Sequence, residues 1–254
     1  MLMMPSLLQN GQLLPFSETE LAMAERLQRD VGVLASEIGE RNTRCPEGLQ
    51  RAAAFIAERF ERLGYNLREE QYLAEGLQVA NIEAEVVGTR LCDEIVIVGA
   101  HYDSAPGTPG SNDNASGAAA ILELARMFRD VQPTRTVRFV AFVNEEPPFF
   151  QTPWMGSRVY AEGAKNRSEK IVAMLCLECL GYYSDVAGSQ LYPPPFDRFC
   201  PDTADFIAFV SNIESHPLLR RCLGYFRKTT AFATQCLVAP ERVPIIGWSD
   251  QSSF

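Results

Sequence analysis

The sequence is poor in histidine, with two (His101 and His216) in 254 residues. It contains no apolar run near the roughly 18 residues that a helical membrane span needs, so no membrane partner is expected. Its first stretch, MLMMPSLLQNGQLLPF, has neither a basic leader nor an unbroken apolar core, so no secretory signal is expected. A basic excess is missing too. Lys and Arg total 23 against 32 Asp and Glu, a net charge of −9. Nucleic acid and anionic membrane both call for a basic face and are not expected as partners, whereas neutral or cationic small substrates suit the balance. Repeats, low-complexity tracts and linkers are absent. The length suits one large α/β domain over 1–254, with 1–16 as a flexible lead.

A disulfide framework is also missing. The seven cysteines are odd in number and irregularly spaced, which points to a reducing, cytoplasmic setting. Only Cys176 and Cys179 have metal-like spacing, and no second pair accompanies them. Their surroundings, IVAMLCLECLG, read as a buried strand, so they are taken as structural.

What is present is a strong α/β pattern. Leu27, Val31, Leu34 and Ile38 recur at three- and four-residue steps, predicting a helix over 17–39 that Gly39 stops. A second helix over 46–64 carries Leu49, Ala53, Ile56, Phe60 and Leu63. Segments 65–73 and 77–87, split by AEG, predict a hairpin. Short apolar runs follow at 95–100, 137–143, 171–177 and 206–210. Several are apolar on both faces, as central strands of a parallel sheet are. Helices are predicted between and after them at 115–128, 154–164 and 215–227, the last with Ser215 as N-cap. The order predicts a doubly wound, mostly parallel sheet with an antiparallel hairpin at one side. Ligands in such sheets gather at the carboxyl ends of the strands.

Polar residues follow those strands. In GAHYDSAPGTPGSNDNASG (99–117), His101 ends a strand, Asp103 lies two residues on, and Asp113 sits in a turn before a helix. Imidazole and carboxylate are zinc ligands, and Asp103 is placed to accept the second ring N–H of His101. Taken alone, this stretch also suits a polar loop of capping residues. In FVNEEPPFFQTPWMGS, Glu145 and Glu146 stand together past a strand, where adjacent side chains diverge. One could bind metal while the other serves as general base, or both could form an exposed acidic turn. Glu178, in MLCLECLG, would be costly to bury unpaired. A metal or an Arg/Lys partner would resolve that equally well.

Taken together, HYD (101–103), GSNDNASG (110–117), NEE (144–146), LECLGYYS (177–184) and WSDQSSF (248–254) resemble the co-catalytic zinc aminopeptidase family, the clan of bacterial leucyl aminopeptidases and glutamate carboxypeptidase-like enzymes. The match runs from about Cys45 to Phe254. It implies a three-layer α/β/α zinc-exopeptidase fold and two zinc ions. Asp113 would bridge them, His101 and Glu178 would complete one shell, and Glu146 and residue 251 the other. Glu145 would be the general base, with Asp103 behind His101, and the Asp113–Asn114 peptide would be cis. Peptide or aminoacyl substrates are implied, with aminopeptidase the commonest activity.

The chain departs from the pattern in three ways. Glu178 stands where relatives carry Asp, a tolerated change. Gln251 replaces a ligand His, so the second ion should bind weakly or not at all. The family's further C-terminal strand and helix are not in the sequence, which would leave a sheet edge open to self-association as a homo-oligomer. Two other readings stay open beside the exopeptidase: a degenerate, inactive relative that binds one metal or peptide, and a one-zinc glutaminyl cyclase-like acyltransferase. Phe149, Phe150, Trp154, Tyr182 and Tyr183 are candidate pocket walls or core. His216 is read as a surface residue.

Overall fold

The computed structural model describes residues 2–3, 15–192, 194, 196–198 and 200–254. The expected flexible lead falls largely outside these residues. Within it, Leu2–Met3 forms a short strand, β1. The chain divides into two compact units, one formed by Met1–Phe16 with Tyr182–Trp248, the other by Ser17–Gly181 with Ser249–Phe254.

The larger unit opens with helix α1 (Glu18–Gly32), started by a reciprocal cap between Ser17 and Glu20. A π-type segment, Val33–Ile38, continues it until Gly39 turns left-handed at φ 81°. Pro46 occupies the first turn of α2 (Pro46–Arg62), where its missing N–H costs nothing. Strands β2 (Leu67–Ala74) and β3 (Leu77–Val86) form the hairpin, turned by Glu75 and Gly76, both at positive φ. Then come β4 (Leu91–His101), α3 (Ser116–Phe128), β5 (Arg135–Phe142), α4 (Gly156–Asn166) and β6 (Lys170–Cys176). The strand order is β2-β3-β5-β4-β6. Pairing is antiparallel for β2–β3 and β3–β5 and parallel for β4–β5 and β4–β6.

Strand alternation builds two apolar faces. Val98 and Ala100 of β4 and Val137, Phe139 and Ala141 of β5 face a core shared with α2 and α3. Ile95, Ile97, Val140 and Phe142 face the opposite way, onto Tyr160 and Ala164 of α4. Helices thus cover both faces of a mixed sheet, as the sequence pattern predicts. The three parallel strands, β5, β4 and β6, end at one edge.

Two strand expectations differ from the structure. The run at 171–177 reads from sequence as a buried strand, but β6 is an edge strand of its sheet and is only half-buried. The run at 206–210 does not join that sheet. As β7 (Ile207–Ser211) it pairs parallel with β8 (Thr234–Val238) in the smaller unit, where β1 adds antiparallel to β8. Between them α5 (His216–Thr229) packs Leu219 and Leu223 on Cys236, Val238 and Phe209. Ser215 precedes α5 without capping it through its side chain, and Asn212 Oδ1 instead accepts the Ser215 N–H at 2.8 Å. Among the described residues, no helix is long and apolar enough to cross a membrane.

Candidate metal centre

The carboxyl ends of β4, β5 and β6 carry the acids that the sequence singled out. His101 is the last residue of β4, paired across from Phe142 of β5. It is 1% exposed. Gly99, two residues earlier, makes room for the Phe142 ring, since a Cβ there would lie 2.4 Å from Phe142 Cε2.

Three acids converge on one nitrogen. His101 Nε2 lies 3.1 Å from Asp113 Oδ1, 3.5 Å from Glu178 Oε2 and 3.7 Å from Glu145 Oε2. Two sets of potential ligand atoms lie within 4.8 Å of one another, His101–Asp113–Glu178 and His101–Glu145–Glu146.

Asp113 sits in the turn Ser111–Ala115, preceded by Gly110 at φ 54°, and its peptide bond to Asn114 is cis. Asn114 is fully buried. Its Nδ2 donates to Leu177 O at 2.9 Å and Glu178 Oε2 at 3.2 Å, and its Oδ1 accepts from Gly117 N at 3.0 Å. This amide ties the Asp113 turn to the end of β6. Ser249 Oγ donates to the same Glu178 oxygen at 2.7 Å and stands 3.4 Å from Cys176 Sγ. Among the described residues no Arg or Lys pairs with Glu178, which instead meets His101, Asn114, Ser249 and Cys179.

Beyond β5, Asn144 turns left-handed at φ 60°, a conformation Asn tolerates. That turn ends the strand alternation, so Glu145 and Glu146 do not diverge and both reach His101. Asp103 holds them there, accepting Glu145 N at 3.1 Å and Glu146 N at 3.0 Å. Its Oδ1 also stands 3.4 Å from His101 Nδ1, without hydrogen-bond geometry. Asp103 thus grips the Glu145–Glu146 backbone, a role that sequence reasoning missed.

Burial among like charges shapes the acidity. Desolvation, against the charge of His101, pushes Glu145 up to about 9. Desolvation and Asp113 raise Glu146 to about 7. Desolvation would lower His101, but contacts with Asp103, Asp113 and Glu178 outweigh it and hold the imidazole well above its ordinary range. Asp113 is correspondingly lowered, first by its bond to His101.

Gln251 lies on the short 3₁₀ turn Asp250–Ser253 of the same unit, half-buried. Its neighbour Asp250 was not singled out from sequence. Asp250 is fully buried, with Ser157 beside it, and neither carboxylate oxygen makes a hydrogen bond of good geometry. Desolvation, countered by His101, raises it to about 7. The signal was present in WSDQSSF, whose one acid stands between Ser249 and Gln251. Phe149 is core, edge-on to Trp154, while Tyr182 and Tyr183 are exposed residues of the smaller unit.

The donor set fits a divalent cation such as zinc. Two donors on one tetrahedral ion, each about 2.0–2.2 Å away, stand roughly 3.3–3.6 Å apart, close to the His101–Asp113 and His101–Glu178 separations. The buried Glu146 Oε1 has no hydrogen-bond partner, as an oxygen reserved for a cation would not.

A model of Peptidase family M28 matches residues 81–205. The uncharacterised protein YfbL of Escherichia coli (strain K12) is 33% identical over 242 residues, 92% of this chain and 73% of that protein. Aminopeptidase YwaD of Bacillus subtilis (strain 168) is 51% identical over 53 residues, 21% of this chain and 12% of that protein. The fold is similar to the crystal structure of Bacteroides thetaiotaomicron glutaminyl cyclase bound to N-acetylhistamine. Its TM-score is 0.65 at 14% identity, covering 95% of this chain and 81% of that one.

Proposed function

This chain belongs to peptidase family M28, and on that premise we propose that it is a zinc-dependent exopeptidase that removes residues from the free amino end of peptides. The observation that carries this reading is the convergence of Asp113, Glu178 and Glu145 on His101 Nε2. His101, Asp113 and Glu178 would hold the tighter zinc ion. Asp113, Glu146 and Gln251 would hold a second, and weakly, because a neutral amide is a poorer zinc donor than imidazole. When bound, zinc polarises the scissile carbonyl, makes water a stronger acid and favours the ionised form of nearby carboxylates. Glu145 would take the proton of the attacking water on its carboxylate and return it to the leaving amine. Asp103 keeps Glu145 aimed by holding its backbone N–H.

The test is hydrolysis of aminoacyl-anilides by the folded protein with added zinc or cobalt. Metal-dependent turnover supports the reading, and a metal-loaded protein without turnover overturns it. Gln251 favours a second reading, a relative that binds a single ion or peptide without turnover. Metal analysis separates the two, since the inactive form should hold about one ion or none. Gln251→His should then raise both metal content and activity.

A further inference from the structure

Among the described residues, Arg41 is one of the largest fully buried side chains, at 0% exposure. Its guanidinium makes no ion pair with a described carboxylate. It donates to five backbone carbonyls: Tyr102 O through Nε at 2.6 Å, Leu34 O and Gly39 O through Nη1 at 3.4 and 3.2 Å, Pro109 O through Nη1, and Gly110 O through Nη2 at 2.7 Å. Tyr102 lies between His101 and Asp103, and Gly110 opens the turn that carries Asp113. The Arg41 backbone adds two bonds to Ser104, its N–H to Ser104 Oγ at 3.1 Å and its carbonyl from Ser104 N at 3.0 Å. Gly110 packs so closely that a Cβ there would lie 2.9 Å from Arg41 Nη2 and 2.5 Å from Asp113 O.

A buried, unpaired cation is costly. The neighbouring charges that offset this one are Asp103, Asp113 and Glu146, all at the metal centre. We infer that Arg41 is a positioning residue: its forked guanidinium sets the separation of the His101 strand end from the Asp113 turn. Lysine cannot replace it fully, because one ammonium cannot span carbonyls from four chain segments. The inference rests on the metal-site reading above.

The test is the zinc affinity of the full chain, measured by chelator competition, together with the absorption of the cobalt-loaded protein. Arg41→Met, Arg41→Lys and a control, Arg59→Met, are compared with the wild type. Arg59 joins α2 to Asp30 of α1 through a part-buried ion pair, so its loss costs stability without touching the centre. Arg41→Met should lose about tenfold or more in zinc affinity and show altered cobalt bands. Arg41→Lys should be intermediate, and Arg59→Met should bind as wild type does. Wild-type affinity in Arg41→Met, or an equal loss in Arg59→Met, overturns the inference. If Arg41→Met does not fold, wild-type affinity and spectrum in Arg41→Lys overturn it. A wild type that takes up neither zinc nor cobalt sinks the metal reading instead. Arg41 is then judged by amide hydrogen exchange over residues 101–117. Faster exchange there in the Arg41 variants, but not in Arg59→Met, supports positioning, and unchanged exchange overturns it.

Discussion

Glu145 can act as a base only if it is ionised, yet without metal, desolvation holds it up at about 9. Glu145→Gln keeps the size and removes the proton acceptor. It should lower kcat by about 10²–10⁴, with KM and zinc content little changed, in steady-state assays paired with metal analysis. Ser249 acts on Glu178, the proposed neighbouring ligand, instead. Its hydroxyl donates to the Glu178 oxygen that faces His101, which steadies that side chain. Ser249→Ala should weaken zinc binding by roughly 10–100-fold, read by chelator competition. At this scale the sequence revealed residues whose type and order announce chemistry, namely His101, Asp113, Glu145, Glu146 and Glu178. It did not reveal Arg41, Ser249 or the Asp103 grip on the Glu145–Glu146 backbone. Arg and Ser suit any surface, and the partners that tie these two to the centre, Tyr102, Gly110 and Glu178, lie 61 to 71 residues away in the chain.

Among the elements, continuous apolar runs placed β4 and β5 well, because both faces of these strands are covered by apolar cores. β8 was missed: TQCLV is five residues long and mixes polar with apolar positions, so neither a two-residue alternation nor a long apolar run marks it. β6 reads from sequence as a buried strand because its composition is apolar. Composition reports what a strand could bury, and only pairing partners decide whether it is an edge. Gly99 is a tight point of the β4–β5 packing. Gly99→Ala would drive its Cβ into the Phe142 ring, itself fully buried and edge-on to Tyr160. The variant should lose about 1–3 kcal/mol of stability, as overpacked cores do, seen as a lower denaturation midpoint.

For the whole molecule, the metal centre sets a conflict between stability and charge. Glu145, Glu146 and Asp250 are raised to about 9, 7 and 7 in the folded, metal-free protein, in each case first by desolvation. Their unfolded values lie near 4. Between those limits the folded protein keeps protons that the unfolded chain has released. These groups therefore favour folding at the acid end, and the contribution is lost as pH rises through about 7 to 9. For Asp250 alone this amounts to at most on the order of 4 kcal/mol. Glu123 and Glu169 have the opposite sign. Arginines overcome their desolvation and hold both at about 2, so their stabilisation is complete above about pH 4.5 and constant over the same window. The metal-free protein should accordingly melt at falling temperatures from about pH 4.5 to about pH 9. Zinc should raise the melting temperature most at the alkaline end, where its ligands no longer hold protons against it. Asp250→Asn removes one buried charge without removing volume. It should flatten the metal-free profile and raise its neutral-pH end, measured by scanning calorimetry across pH. A metal-free profile that rises from acid to neutral pH would mean that these carboxyls are hydrated rather than buried.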